Sequence, residues 1–314
     1  MNAFTQEQMW LYFKHIGLPE YVGLPAEETQ ERVKADPLGF LTRLMHRQLA
    51  RIPFDSLALH YSPTRTLSLH PMALFNKLIV RGRGGYCMEL NGFFATALRT
   101  LGYTLFSVGG RVNGGGVWGG WNHMLNIVTI DGTCYAVDVG FGSHGPPNPN
   151  PLKDGYEFTT IAPARGKLEY RALAQHSDPS QRAWVYSVQE WPNAAWEDKY
   201  AFVEIEFFPA DFQVMNMPVM TAPQSFFVQN VMCMKFLLRE GTDEPEGVLI
   251  LHRDYVKRRI GGNVEILQTL HTEEDRVKVL EDMFSIKLEE DEKAGIRGLA
   301  SELRWKIPQG KGHA

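Results

Sequence analysis

The 314-residue chain predicts an α+β protein in three parts: a helical part over 1–102, an antiparallel sheet or barrel over 103–210 and an α/β part over 211–314. Three observations carry this. Apolar residues recur at helical spacing through the first hundred positions. Short runs rich in Val, Ile, Tyr, Phe and Trp, broken by Gly, Pro, Asn and Asp, fill the middle, and strand-like and helical patterns mix at the end. With 44% hydrophobic and 22% charged residues, the composition is that of a globular protein large enough for two or three domains.

Each element has its own signal. Thr5 and Gln8 form a capping-box pattern ahead of Met9, Trp10, Phe13 and Ile16, and Gly17 supplies a stop. Asp36-Pro37 opens a second helix whose Leu38, Leu41, Met45, Leu49 and Ile52 make one stripe before Pro53. Pro71 opens a third, with Leu74, Phe75 and Leu78. Beyond Gly84-Gly85, the residues Cys87, Leu90, Phe94, Ala97, Leu98 and Leu101 repeat at helical spacing up to Gly102, so Cys87 falls at or near a helix's first turn. Strand-like runs follow at 103–112, 122–130, 133–139, 167–173, 183–190 and 200–208. The Pro-rich run 146–151 reads as a surface loop. Later, 248–252 reads as a buried strand, Gly261-Gly262 as a hairpin turn, and Thr272 as the start of a helix through Phe284; the acidic run 289–292 reads as a solvated helix face.

Charge and cysteine usage exclude several functions. A net charge of −4 with no clustered basic face excludes nucleic acid as a partner. Cys87, Cys134 and Cys233 are too few and too dispersed for a secreted disulfide framework, and no His/Cys spacing suggests a metal. No basic n-region with an apolar core opens the chain, and no stretch offers the ~20 apolar residues of a membrane span, so the expectation is a cytoplasmic protein with no membrane partner. Nothing in the pattern sets an oligomeric state.

The residues that bear chemistry are Cys87, His123 and Asp138. Cys87 follows two glycines, with Arg81 and Arg83 upstream, at a helix start whose unsatisfied N–H groups carry partial positive charge. That setting favours a nucleophilic thiolate; Cys134 and Cys233 read as small buried apolar residues. His123 and Asp138 flank two strand-like runs joined by Asp131-Gly132, a strong hairpin signal. A two-residue turn sets Ile130 opposite Thr133, and counting back places Leu125 opposite Asp138 and His123 opposite Gly140. His123 and Asp138 then share a face as diagonal neighbours, backbones roughly 7–8 Å apart, within side-chain reach. A carboxylate on one imidazole nitrogen leaves the other free to take a thiol proton. The glycines at 109–120 and at 140 and 142 let backbone approach this site from two sides. They match neither the P-loop nor, lacking a following helix, the dinucleotide fingerprint.

At Arg83-Gly84-Gly85-Tyr86-Cys87-Met88-Glu89-Leu90-Asn91 the chain resembles the arylamine N-acetyltransferase family, whose signature is Arg-Gly-Gly-Tyr/Trp-Cys with an Asn four residues on. Ile52-Pro53-Phe54-Asp55-Ser56-Leu57 is similar to the family's Ile-Pro-Phe-Glu-Asn-Leu, with Asp55-Ser56 in place of Glu-Asn. His123-Met124-Leu125 and Asp138-Val139-Gly140-Phe141-Gly142 resemble its His- and Asp-bearing segments. Asp211-Phe212, Met215-Asn216 and Thr221-Ala222-Pro223-Gln224-Ser225-Phe226 resemble the stretch that meets coenzyme A, with Gln224 where a small hydroxyl residue is common. The helix at 273–288 is similar to the family's C-terminal helix.

The resemblance implies an N-terminal helical bundle, an antiparallel β-barrel and a C-terminal α/β lid around a cysteine-protease-like Cys87-His123-Asp138 core. It implies acyl transfer from acetyl-CoA or malonyl-CoA, used as co-substrate rather than as a tightly bound cofactor, to arylamines, aminophenols or hydrazines through an acyl-cysteine. Gly119, Gly120, Gln224 and Ser225 would contact coenzyme A, and Phe141 and Tyr86 would flank the flat acceptor. A malonyl carboxylate would call for a cation such as Arg83 or Arg111. The same triad order also serves thiol hydrolases and transglutaminase-like transamidases, the rival enzyme class; a non-catalytic binding module would require a substituted triad member, and none is substituted.

Overall fold

The computed structural model describes residues 3–303. Helix α1 (Gln6–Ile16) is capped reciprocally by Thr5 and Gln8 and ended by Gly17, whose φ of 79° is left-handed. It buries Met9, Tyr12, Phe13 and Ile16, whereas Trp10 is half-buried and donates its indole N–H to the Leu24 carbonyl at 2.9 Å. Helix α2 (Ala26–Ala35) escaped sequence reading because it buries only Thr29 and Val33, too few apolar positions to make a stripe. Helix α3 (Pro37–Arg51) starts where Asp36 accepts the Gly39 N–H at 3.0 Å. Strand β1 (Phe54–Asp55) follows, then α4 (Pro71–Phe75), which runs on as a π-helical turn, Asn76–Val80. Helix α5 (Cys87–Thr100) is buried at every position from Cys87 to Leu98 except Gly92, so it is the central helix against which α4 and two strands of the main sheet pack.

That sheet comprises β2 (Thr104–Val112), β3 (His123–Ile130), β4 (Thr133–Val137), β5 (Asn150–Pro151), β6 (Tyr156–Thr159), β7 (Arg165–Arg171), β8 (Ala183–Gln189) and β9 (Glu197–Glu206), in the order β5-β4-β3-β2-β9-β8-β7-β6. Every pairing is antiparallel. Among the described residues β5 and β6 do not pair, so the sheet is a nearly closed barrel rather than a complete ring. The run 146–151 is not the surface loop expected of it. Pro146, Pro147, Pro149 and Asn150 are buried, and Asn150-Pro151 pairs with β4. Prolines bury readily here because they bring no N–H that needs a partner.

The remaining elements are α6 (Pro209–Thr221), α7 (Phe226–Gln229), β10 (Met232–Leu238), β11 (Pro245–His252), β12 (Tyr255–Ile260), β13 (Asn263–Thr269), α8 (Glu273–Phe284) and α9 (Glu290–Gly295). Their antiparallel sheet runs β1-β10-β11-β12-β13, so an edge strand from the first part of the chain completes the sheet of the last. Strand β10 carries Met, Cys and Lys rather than a β-branched run, which hid it in the sequence. Gly261 and Gly262, at φ 54° and 87°, turn β12 into β13. The acidic run does not simply face solvent. Glu292 is largely buried and pairs with Arg81 at 2.7 Å and Arg83 at 2.5 Å, tying α9 to the loop ahead of Cys87.

Candidate active site

Cys87 is placed by the close approach of two backbones. Residues 53–55 run beside Gly84-Gly85: Asp55 N–H donates to the Gly85 carbonyl at 2.9 Å and Gly85 N–H to the Pro53 carbonyl at 3.2 Å. A Cβ on Gly84 would lie 2.1 Å from the Pro53 oxygen, so only glycine fits. The helix then opens at Cys87, with Glu89 accepting the Tyr86 N–H at 3.2 Å and pairing with Lys77 at 2.6 Å. The cysteine is 3% exposed, and its Sγ lies 3.8 Å from the Asn122 carbonyl oxygen.

The imidazole of His123 lies between Cys87 and Asp138. Its Nε2 meets Asp138 Oδ2 at 2.7 Å, and Cys87 is the second group whose proximity favours its protonated form. The hairpin explains this only in part. Asp131 and Gly132, at φ 48° and 77°, form the turn, and Ile130 pairs with Thr133 as expected. The β3–β4 ladder stops at Asn126–Val137, however, one position short of the expected Leu125–Asp138 pairing. Asn91, one helical turn beyond Cys87 on α5, takes over from there. Its Nδ2 donates to Asp138 Oδ1 at 2.8 Å and to the Met124 carbonyl at 2.7 Å, and its Oδ1 accepts the Val139 N–H at 3.0 Å. Gly140 N–H gives Asp138 Oδ1 a further bond at 2.8 Å.

The electrostatics follow from these contacts. Burial alone disfavours an imidazolium at His123, but the Asp138 charge and hydrogen bond, reinforced by Cys87, push its pKa up to about 10. Burial likewise opposes charge on Asp138, yet His123, Asn91 and the Gly140 N–H hold its carboxyl below the ordinary range. The rings of Phe141 and Tyr200 close round the imidazole, with centroids 5.1 and 4.8 Å away.

Cys87 and His123 open into a cavity of about 910 Å³. Phe141, Gly120, Gln224 and Ser225, to which the resemblance gives ligand contacts, line it. Gly119 does not; it lines an adjacent hollow and its carbonyl accepts from Arg111 at 3.0 Å. Tyr86 is also set apart: it is buried, hydrogen-bonded through its hydroxyl to Asn216 and packed against Phe227 at 5.3 Å. Neither cation suggested by the sequence reaches the cavity. Arg83 is committed to Glu292, and Arg111 lies 3.9 Å over the Trp121 ring. The cavity is lined instead by Lys199, Lys257, His144 and His252, none of which carries a local signal in the sequence. Alternation along β11 and β12 would have put Ile250 with His252, and Tyr255 with Lys257, on one face, but nothing local says which face meets the cysteine. His313 lies outside the described residues. A larger hollow, about 1130 Å³, beside Arg253, Arg276 and residues 298–303, shares no lining residue with the cavity.

Residues 37–293 match a family model described as N-acetyltransferase. The chain is 35% identical to the N-malonyltransferase FDB2 of Fusarium pseudograminearum, over 93% of this chain and 92% of that one. It is 30% identical to arylamine N-acetyltransferase 2 of Mus musculus, over 82% and 90%. Among solved structures it superposes on the Mycobacterium marinum arylamine N-acetyltransferase in complex with CoA with a TM-score of 0.72 at 25% identity, over 91% and 97% of the two chains.

Proposed function

This chain belongs to the arylamine N-acetyltransferase family, and we propose that it transfers an acetyl or malonyl group from coenzyme A to an arylamine, aminophenol or hydrazine through an acyl-cysteine on Cys87. The observation that carries the reading is the buried His123–Asp138 pair, 2.7 Å apart, beside a cysteine that opens into a ligand-sized cavity. His123 stands to take the thiol proton as the sulfur attacks, and Asp138 stabilises the resulting imidazolium.

In the first half-reaction the Cys87 sulfur attacks the thioester carbonyl, the bond to the coenzyme A sulfur breaks, and the imidazolium protonates the departing thiolate. One thioester replaces another, so little free energy separates the two. In the second, the amine lone pair attacks the acyl-cysteine, His123 accepts the amine proton, and the Cys87 thiolate leaves. An arylamine suits this step because it is uncharged at neutral pH. Phe141 offers a ring to stack against the acceptor, and Gly120, Gln224 and Ser225 form the part of the wall assigned to coenzyme A. The relative named as an N-malonyltransferase supports malonyl-CoA as a donor beside acetyl-CoA. Three free cysteines suit the reducing cytoplasm, and no helix among the described residues is long and apolar enough to cross a membrane.

The test is intact-mass detection of an acylated Cys87 after mixing with acetyl- or malonyl-CoA alone, followed by loss of the adduct when an arylamine is added. The variant Cys87→Ala should give neither adduct nor turnover. Measurable arylamine acylation by Cys87→Ala would overturn the nucleophile, and peptide cleavage or sustained amine-independent release of coenzyme A would favour the thiol hydrolase or transamidase instead.

A further inference from the structure

The Cys87 cavity is one-signed. Its ionisable lining, besides Cys87 and Tyr255, consists of Lys199, Lys257, His123, His144 and His252, with no Asp or Glu. Most of these bases are already answered by a carboxylate behind the wall: His123 by Asp138 at 2.7 Å, His144 by Glu190 at 3.0 Å, and Lys199 by Glu197 at 2.9 Å. His252 stacks on Phe226 at 6.0 Å, and burial together with Arg253 and Lys257 lowers its pKa, so it is neutral at pH 7. Lys257 differs from the rest. Among the described residues no carboxylate lies within ion-pair distance of its ammonium; the contact it makes is with the ring of Tyr255, 5.7 Å away.

Strand register directs this ammonium into the cavity. Lys257 on β12 stands opposite Ile250 on β11, which stands opposite Met234 on β10, so the three side chains project from one face. All three line the cavity. Met234 Sδ accepts the Ser143 N–H at 3.0 Å, which joins this rung to the segment carrying Phe141. Two residues along the same face, Arg259 is spent on Glu190 at 2.8 Å and the Ser143 carbonyl at 2.8 Å. A cation left without a counter-ion in a mainly apolar cavity is a binding determinant for an anion brought by the ligand.

We propose that Lys257 determines specificity by binding a free carboxylate on the reacting substrate. The inference rests on the acyl-transfer reading above. Two substrates bring such a carboxylate: a dicarboxylic monothioester such as malonyl-CoA, on the transferred acyl group, and an aminobenzoate, on the acceptor. The phosphates of coenzyme A are common to every donor and discriminate nothing.

The experiment compares wild type, Lys257→Met and Lys257→Arg with acetyl- and malonyl-CoA, each paired with a neutral aminophenol and with an aminobenzoate, kcat and KM being resolved for every pair. In Lys257→Met the charged-to-neutral ratio of kcat/KM should fall about 10- to 100-fold, mainly through KM, as the loss of one charged hydrogen bond predicts. Lys257→Arg should retain most of the ratio. A fall confined to the malonyl/acetyl ratio assigns the carboxylate to the donor, and one confined to the aminobenzoate/aminophenol ratio assigns it to the acceptor. If both ratios stay within about twofold of wild type, whatever the absolute rates, the proposal is overturned. Wild-type protein that acylates no amine from either donor would instead sink the acyl-transfer reading.

Discussion

Asn91 donates its side-chain amide to Oδ1 of Asp138 at 2.8 Å, so the helix that begins with the cysteine also holds the carboxylate that holds the histidine. The same side chain bonds the Met124 carbonyl and the Val139 N–H. Asn91→Ala leaves these buried groups unpaired and should cost about 2–4 kcal/mol of stability. Because Asp138 loses its clamp, the acylation rate should fall more than the folded fraction does. Thermal unfolding and single-turnover acylation of the same samples measure the two effects.

His123 sets the alkaline limit of the reaction. Its pKa is raised, so the imidazolium survives the neutral range and is lost as pH rises through about 10. The stability this pairing contributes is fully present below the unfolded imidazole value of about 6.5 and disappears through the same alkaline window. Asp138→Asn removes the charge that holds the proton. The alkaline limb of acylation should then move from about pH 10 down toward neutrality, read from pre-steady-state rates between pH 6 and pH 11.

Gly140 permits the contact between β4's exit and α5. A Cβ there would lie 2.7 Å from the Cys87 Cα and 2.8 Å from Asn91 Nδ2, against backbone that has nowhere to go. Gly140→Ala should destabilise by about 1–3 kcal/mol and displace the cysteine. In the same helix Gly92→Ala meets nothing closer than 3.7 Å and should be neutral or stabilising by up to about 1 kcal/mol. Chemical denaturation of both variants checks the contrast.

Asp55 is buried at 3% exposure; its Oδ1 accepts the Leu57 N–H, and its Oδ2 has no partner. Burial, only partly offset by Lys77, raises its pKa to about 6. The folded state therefore binds this proton more tightly than the unfolded state: the group's contribution is fully present below the unfolded value of about 3.9 and is lost as pH rises through about 6. Asp55→Asn should be more stable than wild type at pH 8 by about 1–3 kcal/mol and should flatten the stability profile between pH 4 and pH 6. Urea midpoints across that range decide it.

Local signals carried the site a long way. Thr5, Asp36 and Thr272 each cap the helix they announced, and the Asp131-Gly132 turn set the register from which the His123–Asp138 contact was inferred. What escaped has a common cause. Helix α2 has too little apolar surface to show a stripe, β10 lacks β-branched residues, and β1 is two residues long and exists only because Met234 and Cys233 lie beside it. The placement of Glu292, and of Lys257 in place of Arg83 or Arg111, depends on partners far away in the chain.

By itself, the sequence determined where α1, α3, α5 and α8 begin and end, which turn joins β3 to β4, and so which residues could carry the chemistry. Caps and tight turns are decided by hydrogen bonds and backbone angles within four or five residues, and those are written locally. Only the tertiary structure decided that α5 packs on β3 so that Asn91 reaches Asp138, that Asp138 lies just past the end of its ladder, and that one face of β10, β11 and β12 closes the cavity with Lys257. Those outcomes come from burying apolar faces contributed by segments distant in the chain, and no local pattern encodes which faces will meet.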